Sequence, residues 1–185
     1  MTDLWSLPSS ALIGGVRYAH RTDYRVMLRI LACLADESRP ALLRWYIALE
    51  LFYETPIPQP HAAQAMDYLG EFLRCGAKEA PGPKLFDWQH DAAVIIAEVN
   101  KAAGFEVREK EHLHWWTFLS FFHAIGQGQF ASLVALREKL ARGKPLEAYE
   151  KDYYRAHKAQ VELPRMESEA DRKEKQRLLA LLDGK

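Results

Sequence analysis

The stretch Leu113-His114-Trp115-Trp116-Thr117-Phe118-Leu119-Ser120-Phe121-Phe122 constrains this chain more than any other. It carries two of the five Trp and three of the eight Phe. At helical spacing Trp115, Phe118, Leu119 and Phe122 follow the i, i+3, i+4, i+7 rule and form one face. Trp116 and Phe121 fall off that face, so the helix is apolar around most of its circumference and needs neighbours on several sides. Each buried aromatic ring removes about 150–250 Å² from water. At about 25 cal/mol per Å² that is several kcal/mol per ring before entropy is counted. The other helices are expected to pack around this one.

A chain of 185 residues suits one domain, or one domain with an appendage. Taken in order, it reads as all-α after a short start. Leu12-Ile13 and Val16-Arg17-Tyr18 flank Gly14-Gly15, a two-residue hairpin signal, so a small β-hairpin is expected over about 10–20. The pair is a turn and not a phosphate loop, because the further glycines and the helix start are missing. Thr22 and Asp23 are N-cap types ahead of Val26, Met27, Ile30, Leu31 and Leu34. Asp36 to Pro40 interrupts, with Ser38 placed to cap a second helix that carries Leu42, Trp45, Tyr46, Leu49, Phe52 and Tyr53. Three prolines at 56–60 end it. A third helix is expected over about 61–74 and a fourth from Asp87, through Trp88, Ile95, Ile96 and Val99, to Gly104. The Trp-rich helix is the fifth. Phe130, Leu133, Leu136 and Leu140 mark a sixth, and a seventh runs from about Glu147 to Val161. The whole is about seven helices in one domain over 1–164. Residues 165–185 carry 6 Lys+Arg and 5 Asp+Glu, and their one aliphatic cluster is Leu178, Leu179, Leu181 and Leu182. They are expected to form a charged C-terminal helix or tail that a partner can order.

The formal net charge is 0, from 25 basic and 25 acidic residues. Such a balance argues against non-specific nucleic-acid binding, which rests on Lys and Arg against phosphates. No run of 18 apolar residues is present, and the start Met1-Thr2-Asp3-Leu4-Trp5 lacks the basic-then-apolar order of a signal peptide, so neither a membrane span nor secretion is expected. Cys33 and Cys75 both fall in expected helices and read as small core hydrophobes in a reducing compartment, not as a disulfide pair.

Four groups of residues have the composition of a site. His112 and His114 lie beside Glu109 and Glu111, with His123 further on, and these are zinc-ligand types. Residues two apart on a helix point about 200° apart, so the two histidines cannot share an ion if both are helical. One surface histidine and one partly buried, hydrogen-bonded histidine is the simpler reading. Asp87, His90 and Asp91, with Glu98 beyond, cluster on one helix face and suit acid–base or metal chemistry, but first-turn carboxylates serve equally as caps. Asp23, Arg25 and Arg29 open the first helix, where an ion pair to a carboxylate of another helix is expected ahead of phosphate binding. Tyr149, Tyr153 and Tyr154 alternate with Lys151, Arg155 and Lys158, a mixture that single-stranded nucleic acid can use. Glu147, Glu150 and Asp152 interleave with them, which favours an amphipathic, protein-binding helix with the three tyrosines as partner contacts. No metal, cofactor or catalytic residue is expected, and no nucleophile elbow, Walker motif or Cys/His signature appears.

Several strings together resemble one known family. They are Thr22-Asp23-Tyr24-Arg25-Val26, Ala48-Leu49-Glu50-Leu51-Phe52-Tyr53, Phe86-Asp87 with Asp91, and Leu113-His114-Trp115-Trp116-Thr117-Phe118, together with the hairpin and its paired glycines. Over about 10–164 the chain is similar to the small phage proteins catalogued after the fifteenth gene product of their type phage. These occur in tail modules of tailed phages and prophages of Gram-positive bacteria, near the tape-measure gene. The loop at 77–85 and the last twenty-odd residues match nothing in that family. The resemblance implies a non-enzymatic tail assembly chaperone in the host cytoplasm. Its partners would be the tape-measure protein and the tail-tube subunits, and it would be absent from the finished virion. Assembly of the chaperone itself into rings or spirals fits the same role. Two other readings compete: a structural tail component, and a metal-dependent enzyme built on Asp87, His90, Asp91 and His112 or His114.

Overall fold

The computed structural model describes residues 5–77 and 82–164. The expected charged tail at 165–185, and with it the boundary at 164, lies outside the described residues, as does the middle of the 77–85 loop. Among the described residues the chain is helical apart from one hairpin, β1 (Ser10–Ile13) against β2 (Val16–Ala19), antiparallel with Ser10 opposite Ala19 and Ile13 opposite Val16. Gly14 and Gly15 make the turn, both with positive φ. Gly14 is needed twice over, since a Cβ there would also meet the His61 ring.

Asp23 caps α1 (Tyr24–Ala35) with its carboxylate on the Arg25 N–H at 2.9 Å. α2 (Ala41–Phe52) follows Pro40 without a side-chain cap; Ser38 instead bonds to the Asp36 carboxylate, which corrects its expected capping role. After a 3-10 turn at Gln59–His61 comes α3 (Ala62–Leu73). Cys75 and Gly76, both at positive φ, turn the chain away. Cys75 therefore lies just past a helix and not in one. Both cysteines are free and half-buried. α4 (Ala92–Ala103) begins a turn later than expected, because residues 88–91 form a turn of their own, and ends on Gly104 in the left-handed conformation. A 3-10 turn at Val107–Glu109 leads to α5 (Trp115–His123), the Trp-rich helix. α6 (Gln129–Ala141) follows. The expected seventh helix is broken at His157 into α7 (Ala148–Ala156) and α8 (Lys158–Val161).

The core sits where α1, α3 and α4 surround α5. Trp115, Trp116, Phe118 and Leu119 are all buried, so α5 is covered on more than one side. Tyr24 of α1 stacks on Phe118 with centroids 4.5 Å apart. The two tryptophans bind α3 through polar atoms as well: the Trp115 indole N–H donates to the Leu73 carbonyl at 3.0 Å and the Trp116 indole N–H to the Phe72 carbonyl at 2.9 Å. Carbonyls in the last turn of a helix have spare acceptor capacity, which the indoles use, the Phe72 carbonyl also accepting the Cys75 N–H at 3.0 Å. The starts of α1 and α5 are joined backbone to backbone, Tyr24 N–H to the Leu113 carbonyl at 3.0 Å and Trp115 N–H to the Thr22 carbonyl at 2.7 Å. A second, smaller core of Leu133, Leu136 and Val161, with Leu146, Tyr153 and Tyr154 packed on it, holds α6, α7 and α8 together.

Candidate functional site

The acidic group at the start of α4 is tied into the frame. Burial pushes the Asp87 carboxyl up, but the N–H of His90, the Lys84 ammonium and the N–H of Gln89 pull it down to about 2. Its oxygens accept from the Gln89 and His90 N–H groups at 2.9 Å and from Lys84 Nζ at 2.6 Å. It caps the turn at 88–91, which explains why α4 proper starts at Ala92. Asp91 is 2 % exposed and faces Arg137 of α6, 5 % exposed, in a two-pronged ion pair at 2.7 and 2.8 Å. The Asp87 N–H donates to the same Asp91 carboxylate at 2.9 Å. His90 Nε2 donates to the Gln160 carbonyl at 3.2 Å. Glu98 accepts the Gln129 N–H at the start of α6 at 3.2 Å, where Gly128 leaves room for its carboxylate. Asp91, His90 and Glu98 each hold one segment against another, whereas Asp87 braces its own turn and lines the open groove beside α1.

The histidines before α5 separate. His112 is exposed and bonds to the Thr22 hydroxyl at 3.0 Å. His114 is buried and caps α5: Nδ1 accepts the Trp116 N–H at 3.1 Å while Nε2 donates to the Pro8 carbonyl at 3.1 Å. That arrangement suits the neutral ring, and burial lowers its pKa. Neither histidine is helical, so the expected geometry of two opposed helix faces does not arise, but they serve different bonds all the same. Among the described residues no three His, Cys, Asp or Glu side chains are grouped to hold a metal ion.

Arg25 does not pair with a carboxylate of another helix, as the sequence suggested. Its partner is Asp23, two residues back, at 2.9 Å, and its other donors reach the carbonyls of Arg108 and Lys110 at 3.1 and 2.6 Å. The reason is local: Asp23 also accepts the Leu113 N–H at 3.1 Å, so one carboxylate already stands where the linker passes. Arg29 is exposed on α1.

The three tyrosines of α7 differ in their surroundings. Tyr149 is 71 % exposed. Tyr153 and Tyr154 are half-buried in the second core, with Tyr153 against the His157 ring and the Tyr154 hydroxyl on Glu162. Glu147 and Glu150 form a capping box at the start of α7, and Glu150 also binds Lys139 of α6 at 2.6 Å. Arg155 pairs with Asp152 and Lys158 with Glu162. Beside Tyr149, a groove of about 550 Å³ runs between α6 and α7 over Ala135, Leu136 and Tyr153.

The strings at 22–26 and 113–118, separated by most of the chain, are thus one physical unit, joined by the backbone bonds between α1 and α5. A family model described as Bacteriophage Gp15 protein matches residues 4–163. The chain belongs to the bacteriophage Gp15 family. No curated protein and no solved structure matches it. Membership points to a role in phage structure or assembly. Among the described residues of this Gp15-family protein, no helix is long and apolar enough to cross a membrane. The match ends just before the charged C-terminal segment.

Three surface features of this family member were not legible as sites in its sequence. On α2, Leu42, Leu43 and Tyr46 are exposed, Leu42 at 83 %, although the sequence pattern places Leu42 and Tyr46 on one broad face with the core residues Phe52 and Tyr53. α2 is apolar around most of its circumference, with Arg44 and Glu50 its two charged residues, so no narrow stripe marks its outer face. A groove of about 640 Å³ lies between the second half of α1 and residues 83–89, lined by Leu28, Leu31, Phe86, Trp88 and Val134 among others. A third groove, of about 600 Å³, is formed where the described chain ends, by Leu140, Tyr154, Val161, Leu163 and Pro164 with Lys84.

Proposed function

We propose that this Gp15-family protein is a non-enzymatic tail assembly chaperone or adaptor. It holds the tape-measure protein during tail morphogenesis and helps tail-tube subunits polymerise around it, in the host cytoplasm. The observation that supports this reading most is the contrast between charges paired in the interior and apolar side chains left on the surface. Buried Asp91 and Arg137 meet each other, while Leu42, Leu43, Tyr46 and Tyr149 stand in water. Exposed apolar patches with polar surroundings suit protein partners. An amphipathic helix laid into a groove is the mode that fits a long helical partner, with anchors at i, i+3 or i+4 and i+7. The groove beside Tyr149, floored by Leu136 and Tyr153, is of a size for such an anchor. The α2 face supplies a surface for self-association. Neither nucleic acid nor membrane has a role in this reading.

Family membership also accommodates a structural tail component. Mass spectrometry of purified virions separates the two. An assembly chaperone is absent or far below one copy per tail-tube subunit, whereas stoichiometric abundance overturns the chaperone reading in favour of a structural one.

A further inference from the structure

Helix α2 has one face without a neighbour among the described residues. At about 100° per residue, its fully buried positions Ala48 and Phe52 lie on one side, towards α1 and α3, and Leu42, Leu43, Tyr46 and Glu50 lie on the other. Leu42 is 83 % exposed, Tyr46 62 % and Leu43 45 %. Together they make an apolar patch on the order of 400 Å², a size that on a monomer is often functional. The two ends of the face carry opposite charge. Arg39, immediately ahead of the helix, is half exposed and leans on Asp36 at 3.1 Å, a contact that uses at most two of its five donors. Glu50, in the last turn, is exposed and makes no ion pair among the described residues. The helix leaves both poles of its own dipole uncompensated: no side chain caps its start, its first turn holds no acidic residue and its last turn no basic one.

We propose that α2 pairs antiparallel with α2 of a second copy of this chain about a two-fold axis. A two-fold contact requires a patch that is complementary to itself, and this one is. Turned end for end, the copy sets the partner's Glu50 beside Arg39, at the start of α2 where the helix lacks a negative charge. By symmetry the partner's Arg39 stands at the end of α2, where a positive charge is missing. In the same register Leu43 falls level with the partner's Tyr46. The apolar side chains thus meet at the centre, and an ion pair closes the contact at either rim. A parallel copy would set like charge on like, and a partner of a single charge sign would be repelled at one end. The patch is about half of the ~800 Å² per partner of a standard specific interface, so the dimer is reversible and forms in the micromolar range or above. This pairing specifies the self-association that the proposed function assigns to α2, and it does not depend on which protein the grooves receive.

The test is sedimentation equilibrium of the full chain, alone, from about 5 µM to about 500 µM, on wild type, Arg39→Glu, Glu50→Arg and an equimolar mixture of those two variants. Wild type is expected to rise from 21.3 kDa towards twice that mass. Each single variant sets like charges against each other and should need at least about tenfold more protein to associate. The mixture again sets opposite charges together at both rims and should associate as wild type does. Leu43→Asp, at the centre, should remove association altogether. These positions are exposed, so the variants fold, and recovery in the mixture itself demonstrates it. A wild-type chain that stays monomeric throughout overturns the proposal. So does a mass that passes the dimer and keeps growing, or a mixture no better associated than its components. With no tape-measure protein present, such a failure leaves the chaperone reading to its own test.

Discussion

Arg137 has five N–H donors, and every one is satisfied inside the protein around Asp91. Its two terminal nitrogens meet the two Asp91 oxygens at 2.7 and 2.8 Å. The remaining donors go to the carbonyls of Leu85 at 3.0 Å, Gln160 at 2.7 Å and Val161 at 2.8 Å. One guanidinium thus gathers the 82–91 segment, α4, α6 and α8. The planar fork of Arg, matched to a carboxylate, is the group suited to this task. Removing one partner leaves a buried charge alone, which costs about 3–5 kcal/mol.

Asp91→Ala is therefore expected to destabilise the fold by about that amount, and Arg137→Met by a similar amount, in urea unfolding. The double variant D91A/R137M should cost clearly less than the sum, because neither charge is then left unpaired. Single variants within about 0.5 kcal/mol of wild type, the range of ordinary surface changes, would contradict the structural role of the pair.

Stability should fall in mild acid because of His20. Its ring is 3 % exposed, stacked on Phe52, with Nδ1 donating to the Arg21 carbonyl and Nε2 3.2 Å from the Tyr68 hydroxyl. Burial holds its pKa down at about 4, against an ordinary 6.5. Below about pH 6.5 the unfolded chain takes up a proton that the folded chain refuses until about pH 4. The contribution is thus fully present above pH 6.5 and is lost as pH falls through that window, on the order of 3 kcal/mol in all. Burial lowers the pKa of His114 too, in the same direction. Urea midpoints measured from neutral pH down to pH 4.5 should decline in wild type and decline less in His20→Gln. A flat wild-type profile would be the contrary result.

Trp116→Phe keeps most of the ring but withdraws the donor from the Phe72 carbonyl. A loss of about 0.5–1.5 kcal/mol is expected, the net worth of one hydrogen bond, because the Cys75 N–H still donates to that carbonyl at 3.0 Å. Local hydrogen exchange should quicken first at the end of α3. A change confined to α5 itself would show that the indole bond does not hold the two helices together.

The hairpin, the order of helices and the central place of the Trp-rich segment were legible in the sequence, because hydrophobic period and turn residues are local signals. Helix ends were less so. Asp87 was recognisable as a capping residue, but not the turn at 88–91 that delays α4, since Asp91 turns its carboxylate back to Asp87 and across to Arg137. That pairing joins residues 46 apart, and no local pattern marks it. Nothing in the run 147–161 marks the break at His157 either, because α8 is placed by its carbonyls on Arg137. The tyrosines of α7 have the same type and similar spacing, yet Tyr149 is exposed while Tyr153 and Tyr154 pack inward, a division set by where α6 lies.

The most direct measurement is co-expression of this protein with a phage tape-measure protein, followed by affinity recovery and light scattering of the eluate. The account predicts a soluble complex of defined mass that is weakened by Tyr149→Asp while the fold of the variant is unchanged. An empty recovery, with the tape-measure protein insoluble in the presence of folded Gp15-family protein, would contradict it.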